Sequence, residues 1–223
     1  MNKDTHRGLN AEQLLAQRCA RGHVAVIDDD ADVRSALAAL LDLEGLACET
    51  HAGAESYILA RSYNRLLYPG PCCVLCDVQM PEVDGLELQR RLAALDDTPL
   101  LLMSGASGIR DAVQAFKGGA LDFLIKPIDV DVLLVALGKA FELSTQRQAL
   151  RARKAEVALR VESLSARERD VARSAAQGKI NEVIASELGI ALRTVKLHRQ
   201  HAMEKLQVLT AVDLARIADE AGL

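Results

Sequence analysis

Short apolar runs alternate with segments of helical spacing through the first two thirds of the chain, and this alternation constrains the fold more than any other feature. The runs at 23–27 (HVAVI), 46–50, 73–77 (CVLCD), 100–104 (LLLMS) and 122–126 have the length of strands. Between them, 31–43, 54–67, 86–95 and 109–117 read as helices, and the chain turns helical again from Val130. In the first helix Val33, Leu37, Leu40 and Leu41 repeat with the spacing of one helical face. Gly45, Pro69-Gly70-Pro71, Pro81, Gly118-Gly119 and Pro127 punctuate the pattern. Strands that are apolar throughout need cover on both faces, and strands joined through helices run parallel. The expectation is a doubly wound five-stranded parallel sheet of the α/β class.

The remainder reads differently. Residues 130–163 carry no Gly or Pro after Gly138 and become increasingly charged, which suits a long linker helix. Leu143, Leu150, Val157 and Leu164 recur every seven residues and offer a thin seam that could dimerise. Beyond it, four short helices are expected. Ser165 with Glu168 forms a capping-box pattern for the first, and Asn181 is read as the cap of a second over 182–188, closed by Gly189. A third spans 192–206 and a fourth Thr210–Ala221. Ile184, Leu188, Val195, Leu206 and Leu214 are candidates for their shared core. The expected domains are an extension at 1–22 with a short helix within 11–20, an α/β domain at 23–143, a linker helix at 144–163 and a small all-α domain at 164–223.

Charge follows this division. Residues 1–146 hold 13 basic and 21 acidic side chains, a net of −8; residues 147–223 hold 14 and 10, a net of +4. Only the second part suits a polyanion. No run approaches a membrane span and the first residues lack a signal-peptide core, so a cytoplasmic chain without membrane contact is expected. Cysteines lie at 19, 48, 72, 73 and 76. Their odd number argues against a disulfide scaffold. Cys73 and Cys76 have CxxC spacing, yet three apart on a strand they point to opposite faces, so buried thiols are expected.

Asp28, Asp29 and Asp77 fall at the carboxyl ends of expected parallel strands, the edge where open α/β sheets bind ligands. Converging carboxylates repel unless a cation lies among them, and an all-oxygen set suits Mg²⁺. Ser104 and Lys126 end two further strands at the same edge. A carboxylate beside a cation, an ammonium and a hydroxyl is suited to accept a phosphoryl group, with Asp77 as nucleophile. Asp30 and Asp84 read as ordinary helix caps.

The blocks VIDDD (26–30), CDVQMPEVDG (76–85), MSG (103–105) and DFLIKP (122–127) resemble those of two-component receiver domains. The resemblance implies that Asp28 and Asp29 bind Mg²⁺, that Asp77 is the phosphoacceptor, and that the Gln79 backbone carbonyl completes the metal site. It implies switch roles for Ser104 and Phe123, and a phosphate contact for Lys126 beside an often cis Pro127. Spacing to Asp77 is long for the family, with the excess at 61–72, where a longer loop is tolerated.

In the 192–206 helix, Val195, His198, Ala202 and Leu206 share one face, while Arg193, Lys196, Leu197, Gln200 and Glu204 fall largely opposite. That exposed face suits a DNA major groove. The segments LSARERDV (164–171), NEVIASELGI (181–190) and TVKLHRQHAMEKL (194–206) resemble the LuxR-type helix-turn-helix, and the whole resembles response regulators of the FixJ/NarL class. The resemblance implies base contacts from Lys196, Leu197 and Gln200, and backbone contacts from Arg193, Thr194 and Arg199. Two features depart from the family: Ala191 replaces the usual capping Ser, and alanines at 172, 175 and 176 replace larger residues.

The function expected is phosphoryl transfer from a sensor histidine kinase to Asp77, switching binding to double-stranded promoter DNA. Homodimerisation accompanies phosphorylation or DNA binding in this reading, and RNA polymerase is a further partner. The alternative is a phosphorelay or interaction module whose helical tail binds protein. A turnover enzyme is not expected, since the chain has neither a Gly-rich nucleotide loop nor a nucleophile elbow.

Overall fold

The structure, a computed structural model, describes residues 21–63, 70–95, 98–105 and 109–223. The short helix expected within 11–20, the end of the helix expected over 54–67, and residues 64–69 of the loop expected at 61–72 lie outside the described residues. The chain divides into two compact units, 1–148 and 149–223.

In the first unit, β1 (His23–Ile27), β2 (Ala47–His51), β3 (Cys72–Asp77), β4 (Leu100–Ser104) and β5 (Asp122–Ile125) form one parallel sheet in the order β2-β1-β3-β4-β5. The helices are α1 (Ala31–Leu43), α2 (Ala54–Tyr63), α3 (Gly85–Leu95) and α4 (Ile109–Lys117), with the start of α5 (Val130–Glu162). Alternation along each strand sends side chains to two cores. Ala25, Ile27, Val74, Cys76, Leu100 and Leu102 pack under α2, α3 and α4. Val24, Val26, Cys73, Leu75, Leu101 and Met103 pack under α1 and α5. Cys73 and Cys76 therefore do face opposite sides, and burial raises both thiols well above the usual range. The winding reverses between β1 and β3, which opens a crevice at their carboxyl ends.

Local chemistry sets the helix starts as expected for Asp30, whose carboxylate accepts from the Asp32 and Val33 amides at 2.8 and 3.3 Å. Asp84 accepts from the Glu87 amide at 2.7 Å. Gly85 is required for a different reason. A Cβ there would lie 2.5 Å from the Asp77 carbonyl oxygen, so no larger residue fits behind the site.

The second unit contains the last turns of α5 with α6 (Ala166–Ala176), α7 (Asn181–Leu188), α8 (Leu192–Leu206) and α9 (Ala211–Ala221). Its core joins Val157, Leu164, Val171, Ile184, Val195, Leu206 and Leu214. Ser165 and Glu168 complete the capping box. Three expectations need correction. Asn181 does not cap α7: Ile180 holds the cap position without a side-chain bond, and Asn181 is the first helical residue. Leu188 is only half-buried, packed at the margin of the core. The seam at 143–164 does not exist as a free stripe, because Val157 and Leu164 are spent in the core while Leu150 is exposed. Residues that must fill a small helical core cannot also face a partner helix. As expected from its sequence, Ala191 caps α8 without a side-chain hydrogen bond. Among the described residues no helix is long and apolar enough to cross a membrane.

Candidate functional site

The β1–β3 register pairs Ile27 with Cys76, so the next residues, Asp28 and Asp77, leave the sheet side by side. Both carboxylates are almost wholly buried, while Asp29 is exposed. Ligand oxygens of Asp28, Asp29 and Asp77 lie within 4.8 Å of one another. Lys126, one residue past β5, reaches into the cluster. Its Nζ lies 2.7 Å from Asp28 Oδ2 and 2.9 Å from Asp77 Oδ1. The Lys126–Pro127 peptide bond is cis.

Backbone groups fix the two buried acids. The Asp30 amide donates to Asp28 Oδ1 at 2.9 Å, and the Gln79 amide donates to Asp77 Oδ2 at 3.1 Å. Arg34 donates to the Asp28 carbonyl oxygen at 2.6 Å, a contact the sequence did not announce. Burial raises the Asp77 carboxyl above its ordinary value. The Lys126 hydrogen bond offsets this only in part, and the Asp28 charge adds to the rise. Burial opposes the charge of Lys126, but the bonds to Asp28 and Asp77 outweigh it and hold the ammonium above the usual lysine range. Three carboxylates face one ammonium. The excess negative charge and the all-oxygen donor set fit a hard divalent cation.

Ser104 is fully buried at the end of β4, and its carbonyl accepts from the Lys126 amide at 2.8 Å. Phe123 lies on β5 beside Leu102 and is half-buried against the core under α3 and α4. Gln79 is exposed at the mouth of the site.

In the helical unit, α8 buries Val195, Ala202 and Leu206 and exposes Arg193, Lys196, Leu197, Gln200 and Glu204. Thr194 and Arg199 are half-buried. Arg199 donates to Asn181 Oδ1 at 2.8 Å, tying α8 to the first turn of α7, so one of its donors is already committed within the protein. Gln200 donates through Nε2 to Glu204 Oε1 at 2.9 Å. A buried acid, Glu168, anchors the other side of α8. It accepts from Lys205 at 2.6 Å and from the Ser165 amide at 2.8 Å, with His201 Nδ1 at 3.7 Å. These bonds hold its carboxyl down at about 2. The capping pattern pointed to Glu168 as a cap; its pairing with a residue 37 positions away has no local signal.

Comparison with known proteins agrees with both halves. Residues 24–138 match the response regulator receiver domain family, and residues 162–218 match the luxR family of bacterial regulatory proteins. Transcriptional regulatory protein FixJ of Bradyrhizobium diazoefficiens is 37% identical over 206 residues, which cover 91% of this chain and 97% of that protein. Response regulator protein TodT of Pseudomonas putida is 36% identical, covering 88% of this chain and 85% of its own length. Among solved structures, the response regulator StyR has a TM-score of 0.74 at 34% identity, over 89% of this chain and 98% of that one. Full-length FixJ from B. japonicum has a TM-score of 0.53 at 36% identity, over 91% and 98%. With a receiver fold carrying an acidic edge and a LuxR-type helix-turn-helix following it in the sequence, the chain belongs to the response regulators and is a transcriptional regulator with a DNA-binding output domain.

Proposed function

We propose that Asp77 is the phosphoacceptor and that its phosphorylation controls DNA binding by α8. The observation that carries this is the Lys126 ammonium bridging Asp28 and Asp77 at the carboxyl edge of the sheet. In the transfer step, an Asp77 oxygen attacks the phosphorus of a phosphohistidine on a sensor kinase. The new P–O bond forms as the P–N bond breaks, and the released imidazole takes up a proton. Lys126 then turns from the carboxylate to a phosphoryl oxygen, and the buried Ser104 hydroxyl supplies a second donor. Asp28, Asp29, Asp77 and the Gln79 carbonyl would hold Mg²⁺, which supplies charge neutralisation for the incoming phosphoryl group. The chain accepts and slowly loses this group and does not turn over a substrate. Phe123, beside Ser104's strand, moves inward as Ser104 is drawn to the phosphate.

In this reading residues 1–22 are an extension, 23–143 the receiver, 144–163 the linker helix and 164–223 the DNA-binding domain. Lys196, Leu197 and Gln200 meet bases, while Arg193, Thr194 and Arg199 meet the DNA backbone. The phosphorylated or DNA-bound form is a homodimer that works in the cytoplasm and meets RNA polymerase at a promoter.

Acetyl phosphate with Mg²⁺ should add one phosphoryl group to the chain and none to Asp77→Asn, read by intact mass. Beryllofluoride should raise duplex affinity. A label that persists in the variant removes Asp77 from this role. Absence of salt-dependent duplex binding by the phosphorylated full-length chain moves the reading to a phosphorelay or protein-binding module.

A further inference from the structure

On the exposed face of α8, Gln200 is not free to choose its orientation. Its Nε2 donates to Glu204 Oε1 at 2.9 Å, one helical turn on. Both side chains are exposed, and they line one concavity with Lys196, Arg199 and Met203. A primary amide has one accepting end and one donating end, and a carboxylate only accepts. The contact therefore has one polarity: the amino end of Gln200 is turned to Glu204, and the carbonyl end is turned away from it. Rotating the amide by half a turn would set Oε1 against the Glu204 carboxylate and exchange an attraction for a repulsion. A hydrogen bond to a charged acceptor is also about twice as strong as a neutral one, which favours the observed orientation further.

We infer that Glu204 is a specificity-determining residue: it orients Gln200 so that its carbonyl oxygen is what the DNA meets. This rests on the assignment of α8 as the helix that enters the major groove. There, adenine N6 and cytosine N4 are donors, while guanine O6 and thymine O4 are acceptors. An unconstrained glutamine can serve either kind of base edge by rotating its amide. With its carbonyl presented, Gln200 selects an amine-bearing base, adenine or cytosine, and rejects the keto bases guanine and thymine at the position it meets. The second N–H of Nε2 remains available for adenine N7, so adenine is the favoured member of the pair. Glu204 is a positioning residue in this scheme and has no need to touch the DNA itself.

The test is selection from a pool of duplexes with randomised centres, using the full-length chain with Mg²⁺ and beryllofluoride. The wild type is compared with Gln200→Ala, Glu204→Gln and Glu204→Ala. Gln200→Ala identifies the base position that Gln200 reads. At that position the wild type should favour amine over keto bases by about tenfold, and both Glu204 variants should reduce this to about threefold or less. Because Glu204 is exposed, both variants keep the fold, which circular dichroism verifies. Removing a negative charge near phosphates also strengthens binding to every duplex, so overall affinity is not the readout; the base pattern is. A uniform gain in affinity with an unchanged pattern overturns the inference, as does a guanine or thymine preference at the Gln200 position in the wild type. If Gln200→Ala alters no position at all, Gln200 reads no base and the inference is overturned, while the assignment of α8 stands or falls with Lys196→Ala in the same selection.

Discussion

In the sheet unit the Asp77 carboxylate lies 2.9 Å from Lys126; in the helical unit the Glu168 carboxylate lies 2.6 Å from Lys205. The two side chains are equally secluded, at 6% and 7% exposure. Their proton affinities nevertheless move in opposite directions, up for Asp77 and down for Glu168. Burial is the first cause of the rise at Asp77 and its partners offset it only in part, whereas at Glu168 the hydrogen bonds outweigh burial. Asp77 shares its lysine with Asp28 and feels a second negative charge at close range. Glu168 keeps Lys205, a backbone amide and a nearby imidazole. One site holds uncompensated negative charge, which a cation can relieve and an arriving phosphoryl group increases. The other is saturated and works as a structural clamp. Burial beside a lysine does not by itself mark a reactive acid; a deficit of partners does.

The largest effect expected from this contrast concerns the cation. Asp29→Ala should weaken Mg²⁺ binding by about tenfold or more, since even outer-sphere partners of a metal are worth that much. Calorimetric titration of the full-length chain checks it. Glu168→Gln should leave Mg²⁺ affinity unchanged, and equal losses in both variants would erase the distinction.

Next in size is the clamp. Glu168→Gln should destabilise the helical unit by about 1–3 kcal/mol, the range for removing a charged partner from a buried hydrogen bond. Hydrogen exchange over 166–221 reads this directly. Stability that is indifferent to Glu168→Gln would show that saturation is not what holds α8 on α6.

Acid should separate the units further. Burial lowers His23 to about 4, with Glu49 opposing and Arg61 and His51 adding to the fall. The unfolded chain binds that proton near 6.5, so its contribution to stability is complete above 6.5 and is lost as pH falls towards 4. Glu168, held at about 2 against an ordinary 4.5, keeps its contribution above 4.5 and loses it as pH falls towards 2. The sheet unit should therefore loosen first on acidification. Exchange rates for 23–51 should rise before those for 166–206, and His23→Leu should remove the early rise.

The smallest effect belongs to the exposed face of α8. Arg193 is exposed, whereas Arg199 is drawn to Asn181. Arg193→Ala should lower the slope of log affinity against log salt by about 0.9, one phosphate contact. Arg199→Ala should lower stability as well as affinity, because it also cuts the tie to α7.

Much of this was legible in the sequence because it is local. Apolar runs gave four of the strands while 46–50, with Glu49 and Thr50, gave only a weak signal for the fifth, and alternation placed Cys73 and Cys76 on opposite faces. Ser165 with Glu168 gave the helix start, and the spacing of Val195, Ala202 and Leu206 gave the buried face of α8. Asn181 misled because asparagine favours a cap position by type, whereas its amide oxygen is engaged by Arg199 from another helix. The seven-residue repeat of Leu143, Leu150, Val157 and Leu164 misled for a similar reason: periodicity names a face but not what covers it. Glu82 adopts a φ of 65° beside the site with no glycine or asparagine to announce it.

The sequence by itself determined which residues end strands, which faces of helices are apolar, and which side chains carry charge, since these follow from neighbours a few positions away. Only the tertiary structure decided that Asp28 and Asp77 leave adjacent strands, that Lys126 bridges them across 98 positions, and that Lys205 saturates Glu168. The sign of a carboxyl's pKa shift depends on its burial set against the charges and donors within a few ångströms, and both are fixed by strand register and helix packing rather than by the order of residues along the chain.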